Sequence, residues 1–375
     1  MNEHITYAGE ADLAPTARAE ALAARLFESI VPAMELMTVE LGFRRGLYAG
    51  LRKLGDANVA ELALECAASP RYVREWLEQQ ATAGIIDVAV DGDAAARRYA
   101  LSSAHAEVLL DAESPFAMAG VSAFLSGMAE TFDAVVTDFG RGEGVTYADF
   151  GASVRHAISS LNRPGFTLAL GEWLAQLPEI DERLRTRASV VVDAGCGTGW
   201  STIALARRYP LAHVIGVDLD AASITEAEAN AATAQLGERV RFVIGDAGDR
   251  RILRRLAPDG AALVTLFEAL HDANDPAGVL GSLASILDPE GAILIGDEKV
   301  ADEFTPDGDF LERLNYGFSV LHCLPATIAE GDGEANGTVM RAPVLARWVE
   351  EAGLSGPDVL PIDNELWRFY RVGRP

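Results

Sequence analysis

Residues Ser189 to Asp220 read SVVVDAGCGTGWSTIALARRYPLAHVIGVDLD, and no other stretch restricts the fold as much. Val190 to Val192 suit a strand buried on both faces, as in a parallel sheet. Asp193 ends that run, and Gly195, Gly197 and Gly199 follow at alternate positions. Ser201 to Arg208 then has helical spacing, with Ile203, Leu205 and Ala206 for packing, and Pro210 stops it. A second strand, His213 to Val217, ends in Asp218. Strand, glycine turn, helix and strand together make half of a doubly wound nucleotide-binding fold.

The ligand follows from what the turn lacks. A dinucleotide turn, G-x-G-x-x-G, would need a third glycine where Trp200 stands. The pattern is instead D-x-G-x-G-x-G, with an acid at the strand end. A carboxylate there repels a pyrophosphate and favours a cation. S-adenosylmethionine carries a sulfonium and an ammonium and no phosphate. The glycines remove Cβ atoms that would hold a ligand away from the backbone. Asp218, 19 residues after Gly199, stands where an acid accepts hydrogen bonds from ribose hydroxyls. A third strand, Val240 to Ile244, ends in Gly245-Asp246-Ala247, whose carboxylate suits the adenine amino group.

Asp193-Ala-Gly-Cys-Gly-Thr-Gly199, Val217-Asp218-Leu219-Asp220 and Gly245-Asp246-Ala247, in this order, resemble the motifs of class I S-adenosylmethionine-dependent methyltransferases. The resemblance implies cofactor contacts from Asp193, Gly195, Gly197, Gly199, Asp218, Leu219, Asp246, Ala247 and Phe267. It also implies an α/β fold: a Rossmann-like class I methyltransferase sheet, a helical, winged-helix amino-terminal domain, and a lid insertion.

With 375 residues, two or three domains are expected. The net charge of −25 argues against a nucleic-acid partner, which needs a basic face. No apolar run reaches 18 residues, so no membrane span is expected, and the acidic start argues against a signal peptide. Cys66, Cys196 and Cys323 are scattered and odd in number, which fits a reducing cytoplasm without disulfides. No Cys or His spacing fits a zinc site, so no metal is expected.

The amino-terminal part is expected as a winged-helix or dimerisation domain over residues 1–106. The first 15 or so residues are expected to be poorly ordered. Ala17 to about Leu54 is helical, with Leu22, Leu26, Ile30 and Met37 near one face, and Gly42, Gly46 and Gly50 interrupting its later part. Asn58 and Glu61 form a capping box. Ser69-Pro70 caps a helix carrying Val73, Trp76, Leu77 and Gln80, which Gly84 ends. Ile85 to Val90, a turn at Asp91-Gly92-Asp93, and Arg98 to Leu101 form a hairpin. Arg71 and Arg74 sit where a recognition helix would meet DNA. Residues 1–110 nevertheless hold 10 basic against 16 acidic side chains, which favours dimerisation or active-site cover over DNA. With Leu270-His-Asp-Ala-Asn-Asp-Pro276, this segment resembles a bacterial methyltransferase group with an amino-terminal winged helix.

Residues 107–187 are expected as a helical connector and part of the active-site cover. Ser114-Pro115 opens a helix there, and a loop from Gly140 to Gly151 holds Tyr147 and Phe150. Residues 188–375 form the methyltransferase domain. Its fourth strand is Gly260 to Phe267, its fifth Gly291 to Gly296, and Asp358 to Ile362 with Leu366 to Val372 close the sheet. The insertion 302–340 contains a helix, Phe310 to Leu321, and is long enough to be a lid.

His271 follows the fourth strand and so points at the cofactor region. A histidine there can take the proton of an attacking hydroxyl. The resemblance to plant-type O-methyltransferases, which have a similar Leu-His-Asp context, implies the same general-base role; here Ala273 stands where those enzymes have Trp. The expectation is a cytoplasmic, homodimeric S-adenosylmethionine-dependent methyltransferase of a small-molecule acceptor, with O-methylation preferred. Two rivals remain: a cofactor-binding transcriptional regulator, and a methyltransferase scaffold catalysing another reaction such as a cyclisation.

Overall fold

The computed structural model describes residues 14–89, 93, 96–306 and 308–375. The chain divides into two units. One takes the chain up to Ala129 together with His156–Pro164; the other is Glu130–Arg155 with Gly165–Pro375. The expected boundaries at 106 and 187 each fall inside a unit.

In the first unit, α1 (Pro15–Glu28) and α2 (Ile30–Arg44) lead to α3 (Leu47–Leu54). Gly46, with φ +67°, makes the break between α2 and α3, while Gly42 and Gly50 stay helical. Strand β1 (Asp56–Ala57) precedes α4 (Val59–Glu65). The capping box that opens α4 is present: Glu61 N donates to Asn58 Oδ1 at 3.0 Å, and Asn58 N donates to Glu61 Oε2 at 2.9 Å. Helix α5 (Pro70–Thr82) buries Val73, Trp76, Leu77 and Gln80. Ser69 takes the cap position but its hydroxyl makes no cap bond, so Pro70 alone marks this start.

Strands β2 (Asp87–Ala89) and β3 (Arg98–Ala100) pair antiparallel as the wing, and α6 (Ser103–Leu110) follows. Asp91 and Gly92 of the expected turn lie outside the described residues. The sequence did not reveal β1, which pairs with β3 and makes the order β1-β3-β2. A two-residue strand is too short to show alternation. Its Ala57 joins Leu51, Leu62, Leu77 and Tyr99 in the unit's core.

Helices α7 (Ala119–Phe139) and α8 (Tyr147–Pro164) run through both units. Two expectations fail here for local reasons. Ser114 folds back to accept from Phe116 N at 3.1 Å, so Ser114-Pro115 forms a turn and α7 begins at Ala119. The expected 140–151 loop ends early because Thr146 Oγ1 accepts from Asp149 N at 3.3 Å, and Tyr147 opens α8; Gly151, at φ +71°, kinks it.

In the second unit, one π-helical turn (Gly165–Ala169), α9 (Leu170–Leu174) and α10 (Pro178–Thr186) precede the sheet. Strand β4 (Ser189–Ala194), α11 (Trp200–Arg208), β5 (Ala212–Asp218), α12 (Ala221–Thr233) and β6 (Val240–Ile244) form the first half. Helix α13 (Arg250–Leu256), β7 (Ala261–Phe267), α14 (Pro276–Ala284) and β8 (Leu287–Glu298) form the second. After α15 (Phe310–Phe318), α16 (Leu324–Ala329) and α17 (Ala342–Glu351), strands β9 (Ser355–Val359) and β10 (Trp367–Gly373) complete seven strands.

The order is β6-β5-β4-β7-β8-β10-β9, with β10 antiparallel to both neighbours and the rest parallel. The period of two separates the layers. Val191, Leu263 and Ala292 pair across β4, β7 and β8 and face one core, while Val192, Val264 and Ile293 face the other. The order reverses between β4 and β7, so a crevice opens beyond their carboxyl ends, where ligands bind in such sheets.

Candidate active site

The cofactor side is built from the ends of β4 and β5. Gly195, Gly197 and Gly199 have φ of +68°, +50° and +85°, a conformation that L side chains rarely adopt. A Cβ at Gly199 would lie 2.7 Å from the Phe242 ring and 2.9 Å from Ala227 Cβ. At Gly197 a Cβ would meet nothing within 4 Å, so that backbone faces open space. Gly197 N donates to Asp218 Oδ2 at 2.7 Å, and Asp220 N donates to Asp218 Oδ1 at 2.9 Å. Burial pushes the Asp218 carboxyl up to about 6, against the pull of those two backbone donors. Such a cradle beside a carboxylate fits the ribose and methionine portions of S-adenosylmethionine.

The Asp193 side chain turns inward. It is 1% exposed, and hydroxyls occupy both its oxygens: Thr265 at 2.6 Å on Oδ1, Ser201 at 2.6 Å and Thr202 at 2.5 Å on Oδ2. The side chain therefore ties the first turn of α11 to β4 and β7. Asp246 is exposed and accepts from Gly248 N at 2.6 Å, Leu219 is exposed, and Ala247 packs on the core. The Phe267 ring is in the core, with centroids 5.4 Å from Phe166, 5.9 Å from Trp173 and 6.1 Å from Trp367. The aromatic character that marks a strand end also marks a core cluster, and here the core holds the ring.

His271, the expected base, is 2% exposed. Its Nδ1 donates to Asp297 Oδ1 at 2.7 Å, with Glu298 Oε2 3.0 Å away, and its Nε2 lies 3.2 Å from Asp272 Oδ1. Burial opposes a charge on the ring. Asp272, Asp297 and Glu298 overcome it and raise the ring well above the usual histidine range. Burial raises Glu298 far above the carboxylate range and would do the same to Asp297, but His271 holds Asp297 below it. These directions favour a charged His271–Asp297 pair and a neutral Glu298. Among the described residues Asp297 Oδ2 and Glu298 Oε2 make no hydrogen bond.

The sequence pointed to neither Asp297 nor Glu298, yet both end an apolar strand, the same signal that picked out Asp193 and Asp218. Among the described residues the fold also makes two clusters with metal-ligand spacing that sequence spacing concealed: His271 with Asp297 and Glu298, and His271 with Asp272 and Cys323. The imidazolium already balances the acids in the first.

The insertion brings Cys323 beside His271 and Asp272. His322 is buried, with Phe150 edge-on at 4.5 Å and Tyr147 at 5.8 Å between centroids. Burial holds the His322 ring down at about 4, so it is neutral near pH 7. The same cause pushes the neighbouring Cys323 thiol up to about 12, which keeps it un-ionised and a poor nucleophile.

Residues 185–333 match a family described as a methyltransferase domain, and residues 33–110 match an Rv2258c-like winged HTH domain. The ubiquinone biosynthesis O-methyltransferase of Stutzerimonas stutzeri (strain A1501) is 24% identical over 52% of this chain and 76% of its own length. Methyltransferase ungE' of Aspergillus campestris (strain IBT 28561) is 28% identical over 48% of this chain and 54% of its own. Among solved structures, mitomycin 7-O-methyltransferase MmcR superposes over 96% of this chain and all of its own, with TM-score 0.65 and 19% identity. PigF with SAH covers 94% of this chain and 99% of its own, at 0.66 and 19%. NcsB1, in complex with SAM and 2-hydroxy-5-methyl naphthoic acid, covers 91% and 96%, at 0.61 and 15%.

The sheet, its glycine cradle and the matched domain define an S-adenosylmethionine-dependent methyltransferase of the class I fold. More narrowly, the chain joins that enzyme domain to an amino-terminal winged HTH domain of the Rv2258c-like kind.

Proposed function

We propose that the enzyme O-methylates a small hydroxylated molecule held between His271 and the wall of Tyr147, His322 and Cys323. The carrying observation is the 2.7 Å hydrogen bond between the buried side chains of His271 and Asp297, an arrangement suited to holding one proton at a stated nitrogen. When bound, S-adenosylmethionine supplies a methyl group activated by its sulfonium. The acceptor oxygen forms a bond to that carbon as the carbon–sulfur bond breaks, leaving neutral S-adenosylhomocysteine. The acceptor proton goes to His271 Nε2, and Asp297 stabilises the imidazolium that results. Asp297 orients the ring, the neutral aromatic wall excludes water, and alignment supplies much of the rate, up to ~7–11 kcal/mol. In the resting enzyme the ring already carries a proton. Turnover therefore needs His271 neutral, or an acceptor that arrives ionised; both routes have the same proton count and both speed up as pH rises.

MmcR, PigF and NcsB1 are aligned over nearly their full lengths, and NcsB1 is described with a hydroxylated naphthoic acid beside SAM, which supports a small aromatic acceptor. The DNA-binding reading loses support on α5. Arg71 pairs with Glu75, and Glu78 has Arg74 at 4.0 Å and Arg97 at 3.3 Å, so phosphate contacts would have to break these pairs. We also assign a cytoplasmic setting, from three free cysteines, and a twofold homodimer through residues 1–110. Among the described residues no helix is long and apolar enough to cross a membrane. The test is acceptor-dependent formation of S-adenosylhomocysteine with a panel of phenols and hydroxy-naphthoates. Conversion of a substrate with no S-adenosylhomocysteine formed would favour the scaffold reading instead.

A further inference from the structure

The insertion is fastened to the catalytic loop by one side chain. Asn274 lies three residues after His271 and two after Asp272. Its Nδ2 donates to Thr327 O and Gly331 O, both at 3.0 Å, and its Oδ1 accepts from Gly333 N at 2.7 Å. Both amide hydrogens and the oxygen are thus spent on the end of α16 and the loop after it. The fit leaves no room: a Cβ at Gly333 would lie 2.3 Å from Asn274 O and 2.4 Å from its Oδ1. On its other side α16 meets Gly144, where a Cβ would lie 2.2 Å from Pro325 O and 2.4 Å from Ala329 N.

Glu330 stands between two of the Asn274 contacts, Thr327 and Gly331. Partial loss of solvent, then the charges of Asp272, Asp246 and Asp218, push its carboxyl up to about 7. Two of those three acids are the strand-end acids assigned above to the ribose and adenine. The insertion thus brings a fourth carboxylate near these acids, and among the described residues no cation is paired with it. Closing such a lid on an empty site gathers like charges.

We propose that residues 324–333 form a lid that reads cofactor charge: Asn274 latches it, and Glu330 makes its closed state favour the cationic methyl donor over the neutral product. S-adenosylmethionine carries a net charge of +1 and S-adenosylhomocysteine carries none. The donor therefore offsets repulsion among Asp218, Asp246, Asp272 and Glu330, and methyl transfer restores it at the moment the product must leave. A ligand shifts a two-state equilibrium only by its differential interaction with the two states, and here that difference is one positive charge. Lid opening limits turnover in many enzymes, which gives such a device a purpose.

This inference rests on the cofactor assignment, so the experiment measures that first. Calorimetry at pH 8 gives the affinities of S-adenosylmethionine and S-adenosylhomocysteine for the full-length wild type, Glu330→Gln and Asn274→Asp. Hydrogen exchange of residues 324–333 is followed with each ligand. Binding of neither ligand to wild type would defeat the cofactor assignment, and the inference with it. The expected result is greater protection of 324–333 with the donor than with the product. In Glu330→Gln that difference should vanish, and the donor-to-product affinity ratio should fall about fivefold, the size of a partly screened charge pair. Asn274→Asp should raise exchange with either ligand, since it turns a donor amide into an acceptor facing two carbonyls. Gly333→Ala breaks the same latch from the insertion side and should reproduce that effect. An unchanged affinity ratio and unchanged protection difference in Glu330→Gln would overturn the charge reading. Unchanged exchange in both latch variants would overturn the lid.

Discussion

His271 and Asp297 meet through a 2.7 Å hydrogen bond between Nδ1 and Oδ1, each side chain at most 2% exposed. The acid comes from the end of β8 and the histidine from the loop after β7, so two adjacent parallel strands deliver the pair. With Nδ1 committed to Asp297, Nε2 is the nitrogen on the Asp272 side, 3.2 Å from its Oδ1, and an acceptor hydroxyl has to take the place of that carboxylate.

That pairing sets the first prediction. His271→Ala should lower turnover by roughly 10²–10⁴-fold, with cofactor affinity nearly unchanged. Asp297→Asn should lower the pH at which the rate rises, because the charge that holds the proton on the ring is gone. Single-turnover methyl transfer across pH measures both, once an acceptor is found. A His271→Ala rate equal to wild type at every pH would remove the base role and leave an acceptor that needs no deprotonation.

The same pair makes a stability prediction with a fixed sign. The folded state raises the His271 pKa above its unfolded value, so the ion pair stabilises fully below about 6.5 and less as pH climbs through the raised folded value. Asp297→Asn should therefore cost roughly 3 kcal/mol at pH 6, as for a broken buried pair, and progressively less in alkali. Urea unfolding at several pH values checks the trend. A loss that grows with pH would contradict the charged resting state.

Cofactor binding has its own pH dependence. Burial lifts the Asp218 carboxyl to about 6, so below that pH it is protonated and a worse acceptor for ribose hydroxyls. Affinity for S-adenosylmethionine should fall as pH drops from 7 to 5. Asp218→Asn should lose that dependence and bind more weakly at pH 7, by about 1.5–3 kcal/mol for a hydrogen bond to a charged group. Calorimetry in buffers of different ionisation enthalpy reads the proton count directly.

How far this could be read in the sequence depends on the range of the cause. The glycine cradle was legible because positive φ at Gly195, Gly197 and Gly199 is a local demand. The β4, β5 and β7 cores were legible because apolar runs buried on both faces need no knowledge of their partners. Strand β1 was not, since its two residues mean nothing until β3 lies beside them. The acidic setting of His271 was hidden for the same reason: Asp297 is 26 residues away and arrives only when β8 pairs with β7. Phe267 stands at a strand end as its run of apolar residues suggests, but that its ring turns inward to Trp173 and Trp367 depends on distant chain and could not be read locally. Asn274 reads as one more polar loop residue until the insertion folds back onto it.

The last prediction concerns the amino-terminal helices. Helix α1 buries none of its 14 residues within the chain. Leu22, Leu26, Phe27, Ile30, Val31 and Met34 are all exposed along α1 and the start of α2. An isolated helix of this length is marginal in water, and helices in proteins owe most of their stability to packing of an apolar face. An uncovered apolar surface of this extent marks an interaction site. A second copy of the chain can cover it with the same surface, as twofold assembly requires. Multi-angle light scattering should give twice the 39.9 kDa of one chain at micromolar concentration. Leu26→Glu with Met34→Glu should shift the mass to one chain, because burying two unpaired carboxylates in an apolar contact is costly. These exposed positions contribute nothing to the seven-stranded sheet, so the monomer should still bind S-adenosylmethionine. A wild type that elutes as a monomer at every concentration would reject the homodimer, and a double variant that stays dimeric would place the interface elsewhere.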